Sequence, residues 1–232
     1  MRFDVCAHTY DEHAEPQRFF AERVAQFIGA KPRGPIVELG AGTGALTRWL
    51  LDAPILATDA SRTMVERGRL TVPQAQWSVL DAFISPLPNA TLQVSSGLLH
   101  WAKDPVAMLA RWKTCLTTAG RMVHAMPCEP CLAEWRELVP ESPVPWHSET
   151  EWLNIFGRAG LRVTRSKSWT HTAVCSSALE MVRGFHRTGV TGQTRIGPAR
   201  LRQALRAYDA RHHAAGGVKA TWVWLAIEAV TI

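Results

Sequence analysis

The sequence predicts an α/β domain built on a mostly parallel sheet with helices on both faces. Three observations carry that expectation. Short apolar runs alternate with stretches of helical spacing along most of the chain. The run Ile55-Leu56-Ala57 is apolar throughout, as a strand buried on both faces is. The first run, Ile36-Val37-Glu38-Leu39, breaks into Gly40-Ala41-Gly42-Thr43-Gly44 and then into a stretch spaced as a helix. That is a strand, a glycine turn and a helix start, where a ligand lies against backbone N–H groups because no Cβ intervenes.

Residues 11–30 place Ala14, Phe19, Phe20, Val24, Phe27 and Ile28 on one helical stripe, with Gly29 as the stop. Residues 31–35 are a Pro/Gly linker into the first strand. The helix after the glycine turn ends near Ala53, because Pro54 cannot continue it. A second strand, 55–58, ends at Asp59, and Ser61 caps a helix running to about 69. A third strand, 76–80, ends at Asp81, and a fourth spans 92–96. A helix over 105–116 carries Met108, Leu109 and Trp112 and is stopped by Gly120, before a fifth strand at 121–125. Residues 127–148, rich in proline, form a long loop with one helical turn near 132–138. A helix at 149–159 and a strand at 161–168 follow. Two helices, 177–188 and 198–214, precede a seventh strand at 221–230. We therefore divide a single domain into an N-terminal helical cap (1–34), a cofactor-binding core (35–168), a basic helical insertion (169–219) and a last strand (220–232).

A chain of 232 residues, 47% hydrophobic, suffices for one sizeable core. No apolar run approaches the roughly 18–20 residues that cross a bilayer, and the first residues do not open a signal peptide. Five cysteines, an odd number in a chain this long, argue against a disulfide scaffold and for a reducing, cytoplasmic setting. The net charge of +6 is uneven: seven Arg and one Lys face only Asp209 between 181 and 219, a local +7, so the rest sums to about −1.

Two cofactors compete for the glycine turn. Gly40, Gly42 and Ala45 satisfy a dinucleotide fingerprint. Glu38, two places before Gly40, together with Gly44 fits the Gly-x-Gly-x-Gly pattern of S-adenosylmethionine sites, whose sulfonium and ammonium suit a nearby carboxylate. Asp59, at the end of the second strand, serves the ribose of either. Asp81, at the end of the third, favours S-adenosylmethionine by accepting from the adenine amine, its structural alternative being a helix cap.

From residues 3–15 with Gln17, from Leu56-Ala57-Thr58-Asp59-Ala60-Ser61 with Met64, and from residues 95–101, the chain resembles the class I methyltransferases. Within them it resembles the malonyl-acyl-carrier-protein O-methyltransferases of biotin synthesis. Gly189, Leu201, Leu205 and Thr221 also fall at family-like positions. The resemblance implies a Rossmann-like seven-stranded sheet with a helical insertion before its last strand. It implies a cofactor set of Glu38, Gly40, Gly42, Gly44, Asp59, Ala60, Met64, Asp81, Ala82 and Ser96. Ser96-Gly97 and His100 depart from the family's usual Asn-Leu and Gln, and Trp222 replaces a tyrosine. Val144-Pro145-Trp146-His147 stands where Asn-Arg-Phe is usual.

Methyl transfer from a sulfonium is an in-line displacement that asks chiefly for alignment. A malonyl carboxylate is ionised near neutral pH, so no general base is required. On the acceptor side we expect Tyr10, His100 and Trp101, with His100 as base if the acceptor is instead a quinone, phenol or amine. A non-catalytic cofactor-binding protein is the third alternative. Cys128-Glu129-Pro130-Cys131 lacks the second ligand pair of a structural zinc site, so no metal is expected. Arg183, Arg187, Arg195, Arg200, Arg202, Arg206 and Arg211 either form a solvated face or steer an acidic acyl carrier protein. Nucleic acid is disfavoured, because no basic–aromatic interleaving is present.

Overall fold

The computed structural model describes residues 10–30, 32–142, 144–188 and 196–232. Of the positions singled out above, 3–9, Lys31, Gly189 and Arg195 lie outside the described residues. The strands are β1 (Ile36–Leu39), β2 (Ile55–Asp59), β3 (Gln76–Val79), β4 (Ala90–Ser96), β5 (Leu116–Pro127), β6 (Leu161–Cys175), β7 (His213–Ala214) and β8 (Gly217–Thr231). They form one sheet in the order β3-β2-β1-β4-β5-β8-β6, with β7 paired to β8. The first five are parallel, and β8 runs antiparallel between β5 and β6. This is the expected fold class.

The helices are α1 (Tyr10–His13), α2 (Glu15–Ile28), α3 (Arg62–Thr71), α4 (Pro105–Trp112), α5 (Ala133–Arg136), α6 (Glu149–Arg158), α7 (Ala178–Arg187) and α8 (Pro198–Arg211). β1 is buried at every residue, Glu38 included, so its sequence shows no alternation of apolar and exposed positions. One core joins Phe20 and Val24 of α2 with Met181 and Phe185 of α7 and with Trp222 and Trp224 of β8. Another gathers Leu109 and Trp112 of α4 with Trp152 and Phe156 of α6. A smaller one sets Val65 and Val72 against Trp77. A Cβ on Gly68 would fall 2.2 Å from the Trp77 ring, so this helix approaches its strand only through glycine.

Several local expectations differ from the structure. The stretch after Gly44 holds only a short 3-10 turn, Thr47–Trp49, not an α-helix. The buried Thr47 hydroxyl donates to Glu38 Oε2 at 2.6 Å, and Pro54 follows too soon for a costly helical nucleus to propagate. The helix of residues 11–30 is broken at Ala14 into α1 and α2, and Gly29 (φ 65°) ends it as expected. Helix α4 stops at Trp112 rather than 116, since Lys113 Nζ donates to the carbonyls of Ala159 and Gly160 and fixes the next turn to the end of α6. Gly120 therefore lies inside β5, where Ala119 (φ 61°) and a shifted register with β4 mark a bulge.

β6 and β8 are each far longer than their apolar runs. The ladder pairs Thr170–Cys175 with Val218–Val223, beyond the last β5 pair at Pro127 and Trp224. One face of this ribbon is covered by aromatic contacts, with Phe19 stacked on His171 at 4.4 Å and Phe27 edge-on to Trp169 at 6.0 Å. Thr170, Thr172 and Val174, on the opposite face of β6, are exposed, so this part of the strand shows no continuous apolar run in the sequence.

Helix α6 opens with a reciprocal capping box between Ser148 and Glu151. Ser148→Ala is expected to lower stability by about 1 kcal/mol, read as a shifted denaturation midpoint at constant slope. An unchanged midpoint would mean that the box contributes nothing.

Candidate functional site at the carboxyl ends of the strands

The glycine loop leaves β1 with Gly40, Gly42 and Gly44 at φ of 66°, 56° and 96°. Their surroundings differ. A Cβ on Gly44 would meet Val72 at 2.8 Å, and one on Gly40 would meet Leu98 at 3.0 Å, whereas nothing lies within 4 Å of one on Gly42. Gly44 thus lets α3 and β3 close in, while Gly42 borders open space. Asp59 Oδ2 accepts from the Gly42 N–H at 2.9 Å, and its Oδ1 accepts from the Ser61 N–H at 2.8 Å. One carboxylate therefore ties the loop to the end of β2 and stays partly exposed. Glu38, only 2% exposed, sits beneath the loop. Burial pushes its carboxyl up to about 8, Thr47 partly offsets this, and the nearby Asp59 charge adds to it.

Helix α1 lies against this loop. The Thr43 hydroxyl donates to Asp11 Oδ1 at 2.5 Å, and Arg67 reaches Asp11 Oδ2 at 3.5 Å. The Tyr10 hydroxyl is pushed well up, first by desolvation and then by the charges of Asp59 and Asp11. Tyr10 is therefore at the loop, and it does not line the cavity that holds His100.

Asp81 Oδ1 accepts from the Phe83 N–H at 2.9 Å, and its carbonyl accepts from Ser85, so it caps a turn rather than a helix. Ala82 is buried with its carbonyl taken by Trp112 Nε1 at 2.9 Å. Met64 is buried at the start of α3, its N–H on the Ser61 cap. Ala60 and Ser96 are half-buried at the ends of β2 and β4.

A cavity of about 410 Å³ lies between the ends of β4 and β5, the 127–148 loop and helices α7 and α8. His100, Trp101, Trp135, Trp146, Phe185 and Trp222 are among its walls. His100 Nδ1 is buried without a hydrogen-bond partner, and burial lowers the imidazole pKa to about 3. Arg136 also lines the cavity, its guanidinium 4.6 Å from the centre of the Trp146 ring. The sequence pointed to His100 and Trp101 and, as departures from the family pattern, to Trp146 and Trp222. It did not point to Arg136 or Trp135, whose loop gave no local signal.

The basic insertion is partly self-neutralised. Arg183 pairs with Glu180, Arg200 pairs with Glu141, and Arg187 Nη1 lies 3.1 Å from His13 Nε2. Arg202, Arg206 and Arg211 are exposed on α8. Cys128 and Cys131 are buried thiols, raised by desolvation to about 11 and about 12, a state that suppresses thiolate chemistry. Among the described residues, no cluster of three or more His, Cys, Asp or Glu could hold a metal ion. No helix among them is long and apolar enough to cross a membrane.

The sequence model of the methyltransferase domain family matches residues 10–166. The biotin biosynthesis bifunctional protein BioCD of Bordetella avium is 30% identical over 90% of this chain and 48% of its own length. A malonyl-[acyl-carrier protein] O-methyltransferase of Neorickettsia risticii is 29% identical over 62% of this chain and 60% of its own. The chain thus spans about half the length of these curated relatives. Among solved structures, magnesium protoporphyrin IX methyltransferase from Synechocystis PCC 6803, with bound SAM, shares the fold at a TM-score of 0.55. It is 14% identical over 93% of this chain and 79% of that one.

Proposed function

We propose, from the premise that this chain belongs to the methyltransferase domain family and takes S-adenosylmethionine as its cofactor, that it esterifies the free carboxylate of a malonyl group borne by an acyl carrier protein in the cytoplasm. The observation that carries the acceptor reading is the cavity itself, apolar and tryptophan-walled, with the Arg136 guanidinium and the Arg200-paired Glu141 carboxylate in its described lining. Such a space suits a slender acyl thioester that ends in a negative charge.

The residues present fit the cofactor. Gly42 borders open space in a left-handed conformation, so a ligand can approach the backbone there. Asp59 would hold the ribose hydroxyls with oxygen lone pairs beyond those that accept Gly42 and Ser61. Glu38, beneath the loop, offers negative charge to a cationic ligand, and Asp81 stands at the end of β3. When bound, S-adenosylmethionine supplies an electrophilic methyl group for in-line displacement. The protein's own part is to align the acceptor and to exclude water. Trp101, Trp135, Trp146 and Trp222 strip water from the acceptor carboxylate and so strengthen every charge interaction around it. No general base is required, which agrees with His100, since an imidazole at about 3 is neutral and weakly basic. In this reading His100 accepts or donates one hydrogen bond and moves no proton.

The aromatic walls also favour a second reading, a small apolar acceptor such as a quinone, phenol or amine. For a phenol or amine, the lowered pKa of His100 counts against the base this chemistry needs. Methylation assays with malonyl-carrier protein, malonyl-coenzyme A and a quinol panel side by side decide between them. Turnover of the quinols alone would overturn the malonyl reading.

Docking of the carrier protein falls to α8, where Arg202 and Arg206 are four residues apart and exposed. Arg202→Glu with Arg206→Glu is expected to raise KM for the carrier-borne substrate about tenfold at low salt and to spare a free malonyl thioester. Equal effects on both substrates would rule out docking there.

A further inference from the structure

Arg136 and Trp146 form a pair that the cofactor site does not use. The guanidinium stacks on the indole at 4.6 Å, and both side chains line the cavity. Its Nη2 donates to Glu129 Oε1 at 2.8 Å, and Nη1 reaches the Cys131 carbonyl only at 3.5 Å, beyond an ordinary hydrogen bond. A guanidinium carries five N–H donors, so this arrangement leaves donors over. Among the described residues, Trp146 Nε1 is buried with no hydrogen-bond partner, as is His100 Nδ1 on the same cavity. An orphaned buried donor costs about 1–3 kcal/mol, and a ligand acceptor reaching Trp146 Nε1 would offset that cost. The other ion pair at the cavity is already closed, because Glu141 is held by Arg200.

We infer that Arg136, braced by Trp146, is the specificity-determining residue of the acceptor pocket and receives one oxygen of a carboxylate carried on an apolar chain. This rests on the carboxylate-methylation reading above. One carboxylate oxygen takes a charge-assisted hydrogen bond from the guanidinium, with the Trp146 N–H completing the set, and the other oxygen stays free to attack. Its lone pair forms the new O–CH₃ bond as the S–CH₃ bond breaks, the electron pair of that bond leaving with sulfur and turning the sulfonium into a neutral thioether. The acceptor is then an uncharged ester. The attraction to Arg136 falls with its charge, so the residue that selects the substrate also favours release of the product. Glu129, 44% exposed on its side chain, can turn to solvent when the substrate carboxylate takes its place.

The test is calorimetric titration of the full-length protein, saturated with S-adenosylhomocysteine, with malonyl N-acetylcysteamine thioester and with its methyl ester. Wild-type protein is expected to bind the carboxylate at least tenfold more tightly than the ester. Arg136→Gln is expected to abolish that preference, and Arg136→Lys to restore part of it. Glu129→Gln, which removes the ion pair but keeps the guanidinium, separates recognition from loop disruption and is expected to keep or sharpen the preference. In turnover, Arg136→Gln is expected to raise KM more than it lowers kcat. Retained preference in Arg136→Gln, or its loss in Glu129→Gln, would overturn the inference while the malonyl reading stands. Wild-type protein that binds neither ligand would overturn both.

Discussion

Asp59→Asn is expected to weaken S-adenosylmethionine binding about 30- to 100-fold and to lower the stability of the cofactor-free protein by about 1–3 kcal/mol. The two effects share one cause. The Asp59 carboxylate accepts from Gly42 with one oxygen and from Ser61 with the other. An amide has a single oxygen, so its NH₂ group must confront one of these backbone donors. The loop then loses its tie to β2, and the ribose hydroxyls lose a charged acceptor. Titration calorimetry reads the first loss and thermal denaturation the second. Unchanged affinity would remove Asp59 from the cofactor site, and lost stability with unchanged affinity would leave it only a loop brace.

The second large effect is in pH. The Glu38 carboxyl is raised to about 8 in the fold from 4.5, so between those values the native state holds a proton that the unfolded chain releases. Its contribution is fully present below 4.5 and is lost as pH rises toward 8, with a limiting slope of about 1.4 kcal/mol per pH unit. His100 and His124 work in the opposite sense. Both are lowered by burial to about 3 from 6.5, so their stabilisation is present above 6.5 and is lost as pH falls. Stability is therefore expected to peak near pH 6.5 and to decline above it, and Glu38→Gln is expected to abolish the alkaline decline. A wild-type curve flat from pH 6.5 to 8 would refute a protonated Glu38. A cationic ligand favours the ionised carboxylate, so binding of S-adenosylmethionine near pH 7 should release a proton and give enthalpies that vary with the buffer.

The half of the molecule that these two residues serve was legible in the sequence because its signals are local. A buried strand and alternating glycines occupy consecutive residues, an acid ends the next strand, and Ser61 caps α3 through an atom three residues from its partner. The stretch after Gly44 misled because apolar spacing says nothing of a threonine committed to a buried glutamate. The cavity was legible at His100 and Trp101, and at Trp146 and Trp222 as departures from a family pattern, since its walls come from the turn after β4, the end of β5, the proline-rich loop, α7, α8 and β8. No periodicity links Arg136 to Trp146, which meet only when the loop folds back. The charge run read as a docking face also needed the third dimension, because Arg183 and Arg200 pair with Glu180 and Glu141 while Arg202, Arg206 and Arg211 are exposed on α8.

The ribbon in which Thr170–Cys175 pairs with Val218–Val223 has a consequence for how such a protein diversifies. Helices α7 and α8 hang from the far end of this two-stranded stem, and both stem strands re-enter the main sheet side by side at Trp169 and Trp224. The segment between has adjacent ends, but Met181 and Phe185 tie it to α2 and β8, so any change in it must keep that apolar face. Substitutions at Val182, Phe185 and Leu201 are therefore expected to reshape the cavity while the glycine loop after β1 keeps its place.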